Sequence, residues 1–357
     1  MQRRPLLTLG ALAAVGAVGG LRAQPPATAT SAASSAATAA TAASSAATAA
    51  TAASIPEPGG GLSGELAAHD PTLWLDAQGG HWVFATGEGL ARLHSRDGRH
   101  WQRLPPVFNA ARKPAWWAAH VPAHRGLDVW APKLFAHAGR LWVMYSISTF
   151  GKRTSAIGLA SVPLAEGPGA EVWRDDGPLL SSHEQRPDEG YNAIDPDFFA
   201  DAQGGLWMAW GSWWRGLFVT ELDPATLRPR GAHSHLTRRH GGIEAPTLLQ
   251  RGAHVYLFMS AGQCCKGVNS TYEMRVGRGP GPRGPFVDRE GRPLLEGGGT
   301  LLLAGGPRWK GPGHQDVCSS PAGDTLVWHA YDAEAEGQPR LRLGALRWDA
   351  AGWPSLA

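Results

Sequence analysis

The 357-residue chain is poor in cysteine, poor in charged residues and without any run of basic residues. Its 3 cysteines are an odd number, which excludes a complete disulfide framework and leaves at least one thiol unpaired. The net charge of +3 is carried mostly by scattered arginines, whereas a nucleic-acid surface needs clustered cations. We therefore predict no nucleic-acid partner. The 47 glycines and 28 prolines predict many tight turns in place of long helices.

The cysteines are Cys264, Cys265 and Cys318. A bond between the two adjacent residues needs a strained turn, and a bridge from either of them to Cys318 is the alternative. Three cysteines without further ligands at suitable spacing do not predict a metal site.

The first 58 residues predict export rather than a folded domain. Residues 1–23 are typical of a secretory signal, because two arginines precede an apolar stretch that is short for a membrane span and ends at a plausible cleavage point. A membrane anchor and twin-arginine export are the alternatives. Residues 24–58 repeat Ala, Ser and Thr without an apolar stripe, which predicts a mobile tether. We expect a secreted or periplasmic monomer without a stable membrane partner, folded over residues 59–357.

Beyond the tether a strand–turn–strand pattern recurs five times. Each copy has an apolar strand, a glycine turn and a second strand rich in aromatic and β-branched residues, the fifth copy being the weakest. The turn glycines are Gly79–Gly80, Gly139, Gly204–Gly205, Gly252 and Gly323. Five copies at blade-sized spacing predict an all-β fold, a five-bladed β-propeller, and a β-sandwich with coincidental hairpins is the alternative.

Three carboxylates stand in apolar settings just before the first strand of a copy: Asp70, Asp195 and Glu244. In a propeller these strand starts approach one another at the axis. Poor solvation favours the neutral carboxyl, and glycoside hydrolysis needs one carboxyl to protonate the leaving oxygen and another to activate water or attack the sugar. Asp70 and Asp195 precede proline, so we expect extended backbones there. The alternative for each residue is a turn Asp or a Glu paired with Arg.

The motifs around these acids match a known family in order and in detail. They are residues 69–71, 130–132, 148–151, 155–158, 192–196, 211–214, 243–246, 264–272, 295–300 and 311–314. Over about residues 62–350 the chain resembles glycoside hydrolase family 43, and within it the endo-1,5-α-L-arabinanases. The run Cys-Cys-Lys-Gly-Val-Asn-Ser-Thr-Tyr at 264–272 makes the resemblance specific.

The resemblance implies a five-bladed propeller that cleaves internal α-1,5 links of arabinan, a polysaccharide, with inversion. Asp70 matches the general base, Glu244 the general acid and Asp195 a third carboxylate that holds the pKa and orientation of the acid. An inverting site separates its two carboxyls by roughly 6.5–9.5 Å to admit a water.

The resemblance also implies substrate-binding residues and a metal. The substrate-binding positions are Asp70, Gly151, Asn192, Ala193, Ile194, Asp195, Ser212, Trp213 and Trp214, with Trp130 and Phe150 as stacking faces. Core packing is the alternative for Trp130. His314 matches a residue beside a calcium ion in the central channel. Calcium prefers oxygen ligands, so the resemblance alone supports this prediction, and a structural hydrogen bond is the alternative for His314.

Three segments depart from the family pattern, residues 109–127, 213–214 and 315–316, and they bear on the preferred chain length more than on the reaction. We expect the long loop from Asn109 to Leu127 at the channel mouth, where it would reshape the binding site, and His120 and His124 on its surface. An exo-acting α-L-arabinofuranosidase or a β-xylosidase of the same fold is the alternative enzyme. A non-catalytic sugar-binding propeller is the alternative outside enzymes, and it would not need all three carboxylates.

Overall fold

Glycine turns and apolar strand residues fold the described chain into five sheets, which are antiparallel except for the parallel pairing of Ser63–Gly64 with His100–Trp101. The computed structural model describes residues 61–186 and 189–357, so the predicted signal at 1–23 and tether at 24–58 lie outside the described residues. The five sheets are the blades of a β-propeller, which confirms the predicted fold. Within the described part of the chain, no helix has the length and apolar character needed to cross a membrane.

The strands follow one another blade by blade. Blade 1 contains β1 (Ser63–Gly64), β2 (Thr72–Leu75), β3 (His81–Ala85), β5 (Ala91–Ser95) and β6 (His100–Leu104). Blade 2 contains β4 (Gly87–Glu88), β7 (Asp128–His137), β8 (Arg140–Ile147), β9 (Ser155–Pro163) and β10 (Arg174–Ser182). Blade 3 contains β11 (Asp197–Ala200), β12 (Leu206–Trp210), β13 (Leu217–Leu222) and β14 (Pro229–Thr237). Blade 4 contains β15 (Ile243–Arg251), β16 (His254–Ala261), β17 (Glu273–Gly279) and β18 (Thr300–Leu303). Blade 5 contains β19 (Trp309–Ser320), β20 (Gly323–Asp332), β21 (Gln338–Trp348) and β22 (Pro354–Leu356).

Helical structure is confined to short connections. There is one α-helix, α1 (Trp116–His120), among the described residues. The 3₁₀ turns of the described chain are Ala110–Arg112, Gly267–Asn269, Leu294–Glu296 and Ala333–Ala335.

Apolar clusters between neighbouring blades form the core. There are five clusters of buried side chains among the described residues, one at each boundary between blades. Fully buried aromatic residues in four of these clusters are Trp117, Trp210, Phe258 and Trp101. The first segment of blade 1 also closes the ring, because Ala67 bridges to Arg340 of β21 and the Leu341 amide donates to Leu66 at 2.8 Å.

The inner strands share a left-handed residue near their start, one in each blade. These five residues, which we call the cleft layer, are Asp70 (φ 51°), Ala131 (48°), Asp195 (57°), Ala245 (56°) and His314 (48°). The prediction of extended backbones at Asp70 and Asp195 was therefore wrong. Each of the five N–H groups instead donates to a side chain of the preceding blade. The acceptors are His329 Nδ1 (3.1 Å), Thr86 Oγ1 (2.9 Å), Ser146 Oγ (3.1 Å), Asp195 Oδ2 (3.2 Å) and Ser260 Oγ (2.8 Å), in chain order of the donors.

The long loop before blade 2 packs inward. Trp117 of α1 is fully buried against Phe108 and Tyr145, and it joins the cluster between blades 1 and 2. His124 is also buried, with its Nε2 atom 2.7 Å from the Asp128 carbonyl oxygen. The expected surface position of His124 was thus wrong, because its ring packs edge-on against Trp117. The middle of the loop fills core space between blades rather than reshaping the binding site.

Candidate active site

A cleft of about 740 Å³ opens over the starts of the inner strands. Asp70, Asp195, Glu244 and His314 line it together, although they come from four different blades. Asp70 and Asp195 precede β2 and β11, Glu244 is the second residue of β15, and His314 lies within β19. The propeller therefore brings all three predicted carboxylates into one site.

Asp70 is held by three side chains. Its Oδ1 atom lies 3.0 Å from His314 Nδ1, and its Oδ2 atom lies 2.9 Å from His69 Nδ1 and accepts a hydrogen bond from Thr86 at 2.6 Å. Burial alone would raise the pKa of the Asp70 carboxyl, but the charges of His314 and His69 and their hydrogen bonds hold it well below its usual range. Asp70 is therefore ionised at neutral pH.

The pKa of Glu244 is shifted in the opposite direction from that of Asp70. Ser212 donates to its Oε2 atom at 2.6 Å, and the Tyr272 hydroxyl donates to its Oε1 atom. Burial raises the pKa of Glu244 above its ordinary value, although both hydrogen bonds act against this. A Cβ atom on Gly313 would lie 2.2 Å from the Tyr272 ring, so only glycine lets this ring approach β19 so closely.

Asp195 contacts the backbone next to Glu244. Its Oδ2 atom accepts the Ala245 N–H at 3.2 Å, which fixes the backbone directly after Glu244. Burial raises the pKa of Asp195 to about 8, and the charge of Glu244 adds to this effect while His314 opposes it. The Asp195–Glu244 side of the cleft thus retains a proton under conditions in which Asp70 has lost its own.

His314 carries the positive charge of the site. Burial alone would lower the pKa of its imidazole, but the charge of Asp70 and the hydrogen bond with it, followed by the charges of Asp195 and Glu244, raise it to about 9. The resulting imidazolium stabilises the ionised form of Asp70.

Most of the predicted substrate-binding residues line the cleft. They are Trp130, Phe150, Gly151, Asn192, Ile194, Ser212, Trp213 and Trp214, in addition to Asp70 and Asp195. Phe150 is 74% exposed and Trp214 is 50% exposed, so their flat faces are free to contact a sugar. Ala193 is the exception, because it is fully buried in the cluster between blades 2 and 3 and its N–H donates to Ser182.

Several residues that support the base escaped the sequence analysis. His69 stacks on His329 with ring centroids 4.0 Å apart, and its Nε2 atom lies 2.8 Å from the Tyr331 hydroxyl. Tyr331 in turn accepts the N–H of Cys265 at 2.7 Å. His69 lies in the 69–71 motif, and His329 lies in the weak fifth copy of the strand–turn–strand pattern. The sequence could not show that His329 contacts Asp70, because 259 positions separate them.

The 264–272 run connects both halves of the site. Cys264 and Cys265 are bonded to each other and line the cleft, and Cys318 is free. At one end of the run, Cys265 is linked to Asp70 by hydrogen bonds through Tyr331 and His69. At the other end, the Tyr272 hydroxyl donates to Glu244.

The donor set near His314 does not fit calcium. Calcium takes about six to eight oxygen ligands, whereas His314 offers nitrogen and its Nδ1 atom already contacts Asp70. Among the described residues, the one group of three or more His, Cys, Asp or Glu whose ligand atoms lie within 4.8 Å of one another is His69, Asp70 and His329. Two imidazoles and one carboxylate, already in contact with each other, are poor calcium ligands. Calcium therefore stays a prediction, and no step of the reaction depends on it.

Comparison with known proteins identifies the class of this site. Residues 64–354 match the family described as glycosyl hydrolases family 43. An extracellular endo-alpha-(1->5)-L-arabinanase of Bacillus subtilis is 40% identical over 304 residues, which cover 83% of this chain and 89% of that protein. An extracellular exo-alpha-(1->5)-L-arabinofuranosidase of Cellvibrio japonicus is 36% identical over 308 residues, covering 82% and 87%.

A solved structure gives the same result. The family 43 endo-arabinanase from Bacillus licheniformis superimposes with a TM-score of 0.76 at 40% identity, covering 82% of this chain and 99% of that chain. The fold and the site therefore define a glycosidase. The chain belongs to glycoside hydrolase family 43.

Proposed function

We propose that the protein hydrolyses internal α-1,5 links of arabinan by a single displacement with inversion. The main support for this proposal is that the pKa values of two cleft carboxyls are shifted in opposite directions. The pKa of Asp70 is lowered, and the pKa of Glu244 is raised. An inverting glycosidase needs this pair, one carboxylate as base and one carboxylic acid as proton donor. The arabinan-cleaving relatives support the substrate class.

Each carboxyl then has one task. Glu244 donates its proton to the leaving glycosidic oxygen, and the bond between that oxygen and the anomeric carbon breaks. Asp70 accepts a proton from the water that attacks the same carbon from the other face. Asp195 is a positioning residue, because it holds the backbone after Glu244 and keeps a proton on that side of the cleft.

Aromatic faces at the rim supply the substrate contacts. Phe150, Trp213 and Trp214 are exposed by 74%, 36% and 50%, and all three line the cleft. Such faces bury the apolar side of a furanose ring, while Asn192 and Ser212 offer polar groups to its hydroxyls. We expect several consecutive sugars to be bound, as internal cleavage requires.

We also propose that the protein is exported and acts as a monomer. The arabinan-cleaving relatives are named as extracellular proteins, which agrees with the signal pattern at residues 1–23. Export would place the enzyme where a plant cell-wall polysaccharide is accessible. Sedimentation of the purified chain tests the oligomeric state.

The alternative is removal of single sugars from a chain end, as the name of the Cellvibrio relative states for that protein. Digestion of linear arabinan separates the two. Short oligosaccharides of several lengths at the earliest times, with a rapid loss of viscosity, support internal cleavage. Arabinose as the sole early product, with viscosity retained, contradicts it and assigns an exo-acting enzyme.

A further inference from the structure

A second ring of side chains lies at the propeller axis beneath the active site. Each member is two residues beyond a cleft-layer position. We call this set the channel layer. Its members are Thr72, Lys133, Asp197, Thr247 and Asp316, one from each inner strand.

The cation of this ring is Lys133. Its Nζ atom lies 2.7 Å from Asp197 Oδ1 and 2.5 Å from Asp316 Oδ1. The Lys133 side chain is 12% exposed, and the two carboxylates are 2% and 9% exposed. Burial alone would lower the pKa of the Lys133 ammonium, but the charges of the two carboxylates raise it above its ordinary value. One fixed ammonium therefore bridges two buried carboxylates.

Hydrogen bonds extend this bridge around the whole axis. Four hydrogen bonds and the Lys133–Asp197 contact together link every pair of neighbouring inner strands. The hydrogen bonds are Leu134 N to Thr72 Oγ1 (3.3 Å), Leu248 N to Asp197 Oδ2 (2.8 Å), Thr247 Oγ1 to the Gln315 carbonyl oxygen (2.7 Å) and Thr72 Oγ1 to Asp316 Oδ2 (2.6 Å). Removing the Lys133 ammonium would leave the buried carboxylates of Asp197 and Asp316 without a counter-ion.

We propose that Lys133 is the resident cation of the propeller axis, holding the inner strands of blades 2, 3 and 5 together where a metal ion is then not needed. Asp197 and Asp316 lie two residues beyond Asp195 and His314 along the chain. Removal of one partner from a buried ion pair is costly, whereas neutral replacement of all partners costs little.

The test compares Lys133→Met with a variant that neutralises all three groups, Lys133→Met/Asp197→Asn/Asp316→Asn. We expect Lys133→Met to lower Tm on the order of 10 °C. Calcium chloride at millimolar concentration should restore part of this loss, because the two freed carboxylates then bind the divalent ion. The triple variant should recover most of the loss without calcium and should not respond to it. Arg230→Met, which removes an exposed partner of Glu221, is the surface control and should leave Tm nearly unchanged.

The wild-type protein provides a measurement that needs no variant to fold. After dialysis against EDTA, elemental analysis should find less than stoichiometric metal, and Tm and kcat should equal those of the untreated protein. A stoichiometric ion whose removal lowers Tm would overturn the proposal, whatever the substrate proves to be. So would a Lys133→Met protein with the wild-type Tm, or one whose loss neither calcium nor neutralisation of the two carboxylates repairs.

Discussion

The cleft layer and the channel layer lie two residues apart on the same five segments of the chain, yet their carboxylates differ in how they are paired. In the channel layer each carboxylate contacts the Lys133 ammonium and accepts a further hydrogen bond. Burial raises the pKa of Asp197 to about 6, although the charge of Lys133 opposes this shift. In the cleft no Lys or Arg of the described residues contacts Asp195 or Glu244, and burial raises the pKa of Asp195 further, to about 8, and that of Glu244 above its ordinary value. The channel layer stabilises the propeller, and the Asp195–Glu244 side of the cleft keeps a proton available for chemistry. Four predictions test this division.

The largest effect should come from Glu244, which has a raised pKa and a place in the cleft. Glu244→Gln cannot donate the proton, so kcat/KM on arabinan should fall on the order of 10³-fold. An aryl arabinofuranoside whose phenolate leaves without protonation should lose far less. Glu221→Gln, at an exposed ion pair, is the matched control and should behave as wild type. Equal losses on both substrates would remove Glu244 from the role of acid.

The same substitution at two neighbouring aspartates compares the layers directly. Asp195→Asn should lower kcat by about tenfold to a hundredfold, equivalent to about 1.4–2.7 kcal/mol, without lowering Tm. Asp197→Asn leaves Lys133 with one carboxylate and should instead lower the free energy of unfolding by about 3 kcal/mol, with little change in kcat. Steady-state kinetics and thermal melts of both variants decide. If both variants change kcat and Tm in the same way, the cleft layer and the channel layer do not have separate roles in catalysis and stability.

Stability should depend on pH through Asp195. Its pKa is about 8 in the folded protein against an ordinary value of 3.8. Between these values the folded state holds a proton that the unfolded state lacks, so the free energy of unfolding falls as the pH rises. Asp195→Asn should flatten this decline. Denaturant titrations from pH 5 to pH 8, about the range in question, measure it, and an equally steep decline in the variant would assign the proton to another group.

The smallest effect should come from the rim of the cleft. Phe150 is 74% exposed, so its loss costs no core packing. Phe150→Ala should raise KM for arabinan by about threefold to tenfold and leave kcat and Tm unchanged, as expected for one aromatic stacking contact. Leu301, which is 50% exposed on β18, offers a control in Leu301→Ala. An unchanged KM would place the substrate elsewhere in the cleft.

Local patterns were enough to predict the blades and the acids. Each hairpin, such as Asp128–Ile147 around Gly139, is encoded within about 20 residues. Asp70, Asp195 and Glu244 each precede or begin such a strand. The supporting contacts were beyond this reach. Thr86 and His329 converge on Asp70 from blades 1 and 5. Lys133 meets Asp316 across 183 positions of the chain.

Backbone geometry at the axis also exceeded what the sequence could predict. The residue before a proline favours extended backbone, yet Asp70 and Asp195 are left-handed. The reason lies in the neighbouring blade, whose side chain accepts the N–H of each residue. Only the assembled ring supplies that acceptor.

The most direct test of the two-carboxylate mechanism is the configuration of the first product. Proton NMR recorded during the early phase of arabinan hydrolysis, before mutarotation, distinguishes the two anomers at the new reducing end. Action of Asp70 as base on water and of Glu244 as acid gives the β-anomer from an α-link. Release of the α-anomer would contradict single displacement and would require a covalent intermediate on the enzyme.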